Sequence, residues 1–257
     1  MKTQIIYEDK EILVIYKPGG FPAQSARVTQ PDVVSEVCGY LKSPYVGLVH
    51  RLDQPVEGLM VLGKTKEATA DLSRQMAGET FQKIYLAVVM DETADGCPDE
   101  KCERKDSSKK EGWTELTDYL MKDGKAGKAE VVSGQQAKRL VAAGEKVTEA
   151  KLLYRKLKCA KEIVRKDDGK ETETALLEVK LMTGRFHQIR VQMAHANMPL
   201  LGDMKYGSEA SQELSRHRQI KDVALCACKL SFVHPKTKKK MEFEIEPKKP
   251  VFNSYGF

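Results

Sequence analysis

The sequence predicts an α+β fold whose core is a mixed, mainly antiparallel β-sheet flanked by helices. Apolar segments rich in Ile, Val, Leu and Tyr recur along the chain and are joined mostly by turns. Helical spacing occurs only in short stretches that do not alternate regularly with the strands, as they would in a parallel α/β sheet. The 257 residues can bury a substantial core. We expect one domain spanning residues 1–257.

Two strands, two helices and a further strand are predicted in the first third of the chain. QIIYEDKEILVIYKPGG places two apolar segments around the polar turn EDKE, which indicates a hairpin. PDVVSEVCGYL has helical spacing, and KEATADLSRQMA is an amphipathic helix beginning near Lys66. FQKIYLAVVM follows at once and, being rich in β-branched and aromatic residues, predicts a strand.

The middle of the chain has the weakest pattern. Residues 91–112 lack large apolar side chains and mix both charges, so we expect an exposed loop or linker there. Across residues 113–150, Gly and Lys interrupt every short apolar run. Strand fragments are predicted around residues 116–121 and around Val131.

The last third returns to long strand-like segments with short helical stretches between them. The segments are EAKLLYRKLKCA, ETALLEVKLMT, VALCACKLSFVHP and KKKMEFEIEP. In the last of these, Met241, Phe243 and Ile245 alternate with glutamates, as in a half-solvated antiparallel strand. The lysine run KTKKK before it is typical of the exposed turn of a hairpin.

Composition limits the class of protein. The formal charge of +6 suits a polyanionic partner but is weak evidence alone. Six cysteines without a C-x-x-C pair favour a reduced, cytoplasmic protein. The spacings of Cys97 with Cys102 and of Cys226 with Cys228 do not match structural zinc sites, so we expect no metal. No apolar run approaches the ~20 residues that cross a bilayer, so we expect no membrane association.

Three polar clusters interrupt apolar strands and contain more reactive side chains than a structural turn needs. The first, HRLDQPVEG at residues 50–58, combines a basic pair with a carboxylate. The second is Lys-Ile-Tyr at residues 83–85. The third, TGRFHQIR at residues 183–190, precedes His195 and PLLGD at residues 199–203. A helix beginning in the third cluster would offer free N–H groups to an anion.

In this order, HRLD with its glycine, the K-x-Y strand, TGRFHQIRVQMAH and PLLGDMKYG resemble the successive motifs of RluA-type pseudouridine synthases. The opening EDKEILVIYKPGG and the closing ALCACKLSFVHPKTKKKMEFEIEP are similar to that family's first and last segments. The resemblance implies the pseudouridine synthase catalytic fold with a central RNA-binding cleft.

The resemblance covers nearly the whole chain but includes departures. Gly63 stands where the family usually has alanine, Phe186 replaces a usual small hydroxyl residue, and Gln192 stands where histidine is common. Residues 91–150 match only loosely. The chain begins directly at the first hairpin, so we expect no N-terminal S4-like RNA-binding domain.

The resemblance implies isomerisation of specific uridines in structured RNA, either rRNA or tRNA, with Asp53 as the catalytic carboxylate. An ionised carboxylate beside the sugar carbon can stabilise positive charge, attack the carbon or take a neighbouring proton, and the sequence leaves these three roles open. Arg185 is expected to pair with Asp53 through its planar fork. Tyr85 matches the family tyrosine that stacks on uracil and helps remove the final proton.

The target base must be flipped out of its stack before the sugar can be reached. By resemblance, Arg51 stacks in the gap and contacts RNA, although a plain surface salt bridge is the alternative. Lys17 and Arg190 are weaker candidates for RNA contact. The three histidines of the clusters are expected to be satisfied interior residues or phosphate contacts and not acid–base catalysts: His50, His187 and His195.

Two other functions remain open at this stage. A catalytically silent RNA-binding protein on the same fold would lack the carboxylate or its arginine, and Asp53, Tyr85 and Arg185 are all present. A hydrolytic nucleosidase would release free uracil. We expect RNA as the partner, no small-molecule cofactor and a monomer.

Overall fold

The structure is a computed structural model, and it describes residues 1–25, 29–93, 112–163 and 171–257. These residues form two compact units. Unit 1 contains residues 1–85, 225–248 and 257, and unit 2 contains residues 86–224 and 249–256.

Eleven strands and six helices make up the described part of the chain. The strands are β1 (Gln4–Glu8), β2 (Ile12–Lys17), β3 (Gly47–Leu48), β4 (Glu57–Gly63), β5 (Gln82–Met90), β6 (Thr114–Asp123), β7 (Lys128–Val132), β8 (Val147–Ile163), β9 (Glu171–Leu181), β10 (Leu225–Val233) and β11 (Lys240–Glu244). The helices are α1 (Val33–Leu41), α2 (Lys66–Met76), α3 (Gly134–Ala142), α4 (Gln188–His195), α5 (Glu209–His217) and a 3-10 helix (Pro250–Tyr255).

In unit 1 the strands lie in the order β1-β2-β4-β10-β5, with β3 paired to β4 and β11 paired to β10. β2 and β4 are antiparallel, and their register places Lys17 opposite Gly58. β4 and β10 are parallel. The core of this unit packs apolar side chains from β2, β4 and β10 against the buried Leu72 of α2 and Phe81. This packing fixes the loop between β3 and β4, which carries Asp53.

In unit 2 the strands lie in the order β5-β9-β8-β6-β7. The pairs β6–β7, β6–β8 and β8–β9 are all antiparallel. α4 packs on this sheet through Val191, which joins a small core with Leu120, Ala129 and Ala150. The turn that carries Arg185 leads directly into α4.

The predicted fold class is confirmed, because the sheet is mixed and mostly antiparallel and helices accompany it. The N-terminal hairpin is present as β1 and β2, and the fragments near residues 116–121 and Val131 are β6 and β7. α2 begins at Lys66, where the Thr65 hydroxyl accepts the Ala68 N–H at 3.1 Å.

The remaining predictions about the fold have mixed outcomes. KTKKK lies in the connection of the β10–β11 hairpin, as expected. α3 and α5 were not predicted as helices. Of the expected 91–112 linker, residues 94–111 lie outside the described residues, as do Cys97 and Cys102. Cys226 and Cys228 are buried on β10. The single-domain assignment stays a prediction.

No helix within the described ranges has both the length and the apolar character needed to cross a membrane.

Candidate active site

Asp53 lies in a tight turn between β3 and β4 in unit 1. The Val56 N–H donates to the Asp53 carbonyl at 3.0 Å and closes the turn. Leu52 and Val56 on either side are 5% and 2% exposed, so both flanks are held in the core. Asp53 itself is half-buried. The buried side chains of Leu52 and Val56 therefore fix the path of the backbone that carries the Asp53 carboxylate.

Lys17, at the end of β2, holds this turn from inside the unit. Its side chain is 0% exposed. The ammonium donates to the carbonyls of Pro18 at 2.9 Å, Phe21 at 2.7 Å and Gln54 at 3.1 Å. The predicted RNA contact by Lys17 is therefore corrected to an internal role. Lys17 ties the Asp53 turn to the loop after β2.

His50 is also an interior residue. It is 5% exposed, its Nε2 accepts the Val61 N–H at 3.2 Å, and its ring meets Phe81 edge to face at 5.5 Å. Burial, aided by the positive charge of Lys83, lowers the pKa of His50 to about 3. The imidazole is neutral at physiological pH. Direct RNA contact by His50 is corrected to the alternative of an interior histidine.

A buried carboxylate that the sequence analysis missed begins β4. Glu57 is 1% exposed and accepts the Tyr16 hydroxyl at 2.5 Å. Burial, then the bond to Glu57, raises the pKa of Tyr16 well above its usual range. Both residues flank the Asp53 turn, and the signal available in the sequence was a glutamate directly before an apolar strand.

At two positions of this region, steric contact explains why the residue is glycine. Gly58 has φ of +129°, and a Cβ there would lie 2.5 Å from the backbone N and O of Ala227 on β10. Gly63, one of the departures from the resembled family, faces Thr69 of α2, whose Oγ1 would be 2.1 Å from an added Cβ. The threonine occupies the space that an alanine methyl would need.

Tyr85 lies on β5 in the same unit and is 4% exposed. Burial, then the negative charge of Asp53, raises its pKa well above the usual range, so the hydroxyl is protonated at neutral pH. Lys83 is two residues earlier on the strand and therefore faces the same side. It is half-buried, and burial lowers its pKa to about 8.

Arg185 lies in unit 2, in an exposed turn organised by Gln188. The buried Gln188 carboxamide accepts the Arg185 N–H at 2.9 Å and the Thr183 hydroxyl at 2.8 Å, and it donates to the Lys151 carbonyl at 3.0 Å. Arg185 Nε donates to the Glu149 carbonyl at 3.0 Å. The pairing of Arg185 with Asp53, a residue of the other unit, stays a prediction, as does an anion site at the start of α4.

Arg190 is buried in α4, and the structure corrects its predicted RNA contact. Its Nε and Nη2 donate to the two carboxylate oxygens of Asp203 at 2.7 and 2.8 Å. Asp203 is 2% exposed and also accepts the N–H groups of Lys205 and Tyr206. Burial opposes the charge of Asp203, but these donors outweigh it and lower its pKa below the usual range. The pair joins α4 to the turn that follows it.

His187 and His195 lie at the two ends of α4. His187 has φ of +53°, and its Nδ1 is 2.8 Å from the hydroxyl of Tyr206. His195 is paired with Asp118 at 3.1 Å, and Gln192 donates to the same carboxylate. Gln192 therefore has a structural role where it departs from the resembled family. RNA contact by His187 stays a prediction.

Arg51 is exposed, as a residue that contacts RNA would be, and its role stays a prediction. Within the residues that the structure describes, no three His, Cys, Asp or Glu side chains converge on a possible metal position. Unit 1 thus combines Asp53 and Tyr85, and unit 2 presents Arg185.

The comparison with protein families decides the assignment. Residues 11–195 match the family described as RNA pseudouridylate synthase. The chain belongs to this family. Pseudouridine synthases are isomerases, so the protein is an RNA-modifying isomerase of the RluA type, as the motifs indicated.

Individual proteins of the family extend the match beyond these residues. The ribosomal large subunit pseudouridine synthase D of Pseudomonas aeruginosa is 32% identical over 256 residues, which is 95% of this chain and 68% of that protein. Its namesake from Vibrio cholerae is 30% identical over 95% of this chain and 67% of its own.

Two solved structures share the family fold. Human RNA pseudouridylate synthase domain containing 1 has a TM-score of 0.66 at 18% identity, covering 95% of this chain and 83% of its own. Human RNA pseudouridylate synthase domain containing 4 has a TM-score of 0.63 at 20% identity, covering 96% and 89%. They establish the likeness of fold.

Proposed function

We propose that this pseudouridine synthase isomerises specific uridines of structured RNA with Asp53 as the catalytic carboxylate, Tyr85 against the base and Arg185 as the cationic partner. One observation carries the proposal. Burial, and then the negative charge of Asp53, raise the pKa of the Tyr85 hydroxyl within unit 1, so the carboxylate lies close enough to the hydroxyl to influence it. The turn that carries Asp53 is held by the buried Lys17 ammonium.

The chemistry requires a carboxylate at this place. The bond from N1 of uracil to the ribose breaks, the base turns, a bond from C5 to the same carbon forms, the C5 proton leaves, and N1 takes up a proton. Positive charge develops on the sugar as the first bond breaks. A half-buried carboxylate can stabilise that charge, attack the carbon or take a neighbouring proton. All three roles select Asp53.

Tyr85 is proposed to stack on the uracil ring and to assist loss of the C5 proton. Its raised pKa means that it enters the reaction as a neutral hydroxyl. It would therefore relay the C5 proton: its oxygen accepts that proton as its own proton passes to the Asp53 carboxylate. Arg185, whose charge is permanent, would keep Asp53 ionised in a partly dry site.

Large-subunit ribosomal RNA is the proposed substrate, with transfer RNA as the alternative. Support comes from the relatives in Pseudomonas aeruginosa and Vibrio cholerae, both described as ribosomal large subunit pseudouridine synthases. We propose that Arg51 and His187 contact this RNA. A cytoplasmic location, a monomeric state and action without a cofactor stay predictions.

The decisive experiment maps pseudouridine in total RNA from cells that lack the protein and are complemented with wild type or Asp53→Asn. We expect at least one uridine whose modification wild type restores and Asp53→Asn does not, because the amide keeps the shape and loses the charge. Removal of such electrostatic stabilisation costs roughly 10²-fold or more in kcat.

Glu67→Gln, which neutralises an exposed carboxylate of α2 in the same unit, is the matched control and should restore modification fully. Restoration by Asp53→Asn would refute the assignment of Asp53. If wild type instead released free uracil, the protein would be a nucleosidase. A site in transfer RNA alone would replace the proposed substrate.

A further inference from the structure

The face of unit 2 beside Arg185 carries an aromatic ring that the proposed chemistry does not use. Phe186 is half-buried, and it replaces the small hydroxyl residue usual in the resembled motif. Its ring is stacked on that of His187, with centroids 3.7 Å apart and planes inclined by 22°. The His187 imidazole therefore fixes the orientation of the Phe186 ring by packing against one of its faces.

Hydrogen bonds hold the His187 imidazole in place behind the Phe186 ring. His187 Nδ1 is 2.8 Å from the Tyr206 hydroxyl, which accepts the N–H of Ala129 on β7 at 2.7 Å. The Arg190 guanidinium lies over the Tyr206 ring, 5.1 Å from its centroid. Phe186 and Tyr206 both pack against the small core of unit 2.

A lysine ammonium lies over the other face of Phe186. The Lys122 ammonium lies 4.7 Å from the ring centroid. Because the imidazole of His187 occupies one face, the ammonium lies over the other. Lys122 is exposed and has no ion pair or hydrogen bond from its side chain within the described residues. Such an exposed cation–π contact is weak, so a ligand can displace it.

The surroundings favour a polyanion that also offers flat apolar rings. Lys125 is exposed in the turn after β6, and Lys205 fixes that turn by donating to the Gly127 carbonyl at 2.9 Å. Arg185 is the residue before Phe186. RNA with unpaired bases combines phosphates with exposed ring faces, and aromatic side chains bind such bases by stacking.

We propose that the outer face of Phe186 is a stacking site for an unpaired base of the RNA substrate, and that Lys122, on leaving the ring, contacts the adjoining phosphate. This inference rests on the proposed function, since it assigns a further substrate contact. It gives a role to a ring next to Arg185 that has the His187 imidazole on one face and the Lys122 ammonium over the other.

The test measures RNA binding apart from turnover, in the Asp53→Asn protein. The probe is a fluorescein-labelled single-stranded RNA of mixed sequence, compared with a perfectly paired duplex of the same length by fluorescence anisotropy. Phe186→Leu keeps an apolar side chain and removes the ring. We expect it to lower the affinity for the single strand about 10-fold, as loss of one base–aromatic stack does, with little effect on the duplex.

A second variant reports stacking directly. Phe186→Trp, in a protein that also carries Trp113→Phe, places the only tryptophan at the site. It should retain affinity, and its emission should be quenched by the single strand. Lys122→Ala should lower the salt dependence of binding by about one phosphate contact. Lys138→Ala, an exposed lysine of α3, is its control and should change nothing.

If Phe186→Leu binds the single strand within about twofold of its parent and the tryptophan is not quenched, the ring serves packing alone and the inference is overturned. Equal losses for single strand and duplex would also overturn it. Failure of the parent protein to bind any RNA would instead overturn the proposed function, and this inference with it.

Discussion

Lys17 shows how a single side chain fixes the position of the proposed catalytic group. Its ammonium, on the largest fully buried side chain in the described part of the chain, donates to three backbone carbonyls. One of these belongs to Gln54, the residue after Asp53. A compact ammonium with three donors suits this place, and a planar guanidinium would not. The Lys17 ammonium nitrogen therefore determines both the electrostatics of the Asp53 turn and the path of its backbone.

Replacing Lys17 with Met tests this role. The variant keeps the length of the side chain but leaves three carbonyls without their donor, and each buried unsatisfied group costs roughly 1–3 kcal/mol. We expect the free energy of unfolding to fall by about 3 kcal/mol in urea titrations. Lys66→Met, at an exposed position of α2, should leave it unchanged. An unchanged stability for Lys17→Met would show that water replaces the ammonium.

The sequence could identify residues with chemistry but not which of them face inward. Asp53 and Tyr85 were predicted because their motifs occur in the family's order. Lys17 and Arg190 were weaker candidates for RNA contact, and His50 was expected to be an interior residue or a phosphate contact. Their partners are backbone carbonyls, a backbone N–H of β4 and Asp203, and pairing over such separations is a property of the tertiary structure.

At the scale of elements, α4 is held by polar bonds made by residues of its first turn. Its first residue, Gln188, organises the Arg185 turn, and Arg190 binds Asp203 in the turn that follows the helix. Only the short apolar contact through Val191 reaches the small core. The placement of Arg185 thus depends on the ion pair as well as on packing.

Arg190→Met should be strongly destabilising, since it leaves the buried Asp203 carboxylate without its guanidinium. Removal of one partner of a buried pair costs roughly 3–5 kcal/mol. Chemical denaturation would measure this loss. Arg139→Met, at an exposed position of α3, provides the comparison. A loss no larger than that of the comparison would mean that Asp203 becomes protonated or hydrated at little cost.

The same pair makes stability depend on acid. The pKa of Asp203 is lower in the folded protein than the ~3.9 of an unfolded aspartate. Its contribution is therefore complete above about pH 4 and is lost as the pH falls through the folded pKa. Asp203→Asn should remove this part of the acid dependence in unfolding curves recorded between about pH 2 and 6. If the stability of both proteins fell equally as the pH was lowered, the expectation would be contradicted.

Elements with strong apolar periodicity were predicted from sequence, and α3 shows why others were not. Only Ala137 of that helix is buried, so little of its apolar surface packs into a core. Its start is instead fixed by a capping box in which Ser133 and Gln136 bond reciprocally to each other's backbone N–H groups. The S-x-x-Q spacing was the available signal, and the surrounding Gly and Lys residues obscured it.

At the scale of the whole molecule, a charge of +6 and exposed cations such as Arg51 and Arg185 accompany an activity on RNA. Binding to a polyanion releases counterions, so its affinity must fall with salt. The fold class followed from the number of strands and their turns. Among the registers described, the single parallel pairing is that of β4 with β10. It pairs Gly58 with Ala227, 169 residues later in the sequence, and no local pattern could have indicated it.

We therefore expect the affinity of the Asp53→Asn protein for RNA to fall about 10-fold between ~50 and ~200 mM salt, as release from two phosphate contacts would produce. Anisotropy titrations at several salt concentrations give the slope. Uncharged probes such as free uridine serve as the reference and should show little change. A flat dependence for RNA would mean that contacts to bases, and not to phosphates, dominate the affinity.

Because Lys17 is fully buried, its chemical labelling would report on local opening of the protein. An amine-reactive reagent applied to the native protein meets the exposed lysines at once, but it cannot reach an ammonium that is 0% exposed. Lys17 can be labelled only when the segment around Asp53 opens. The rate at which its mass tag accumulates would therefore time the opening of that segment, in a protein whose exposed lysines have already reacted.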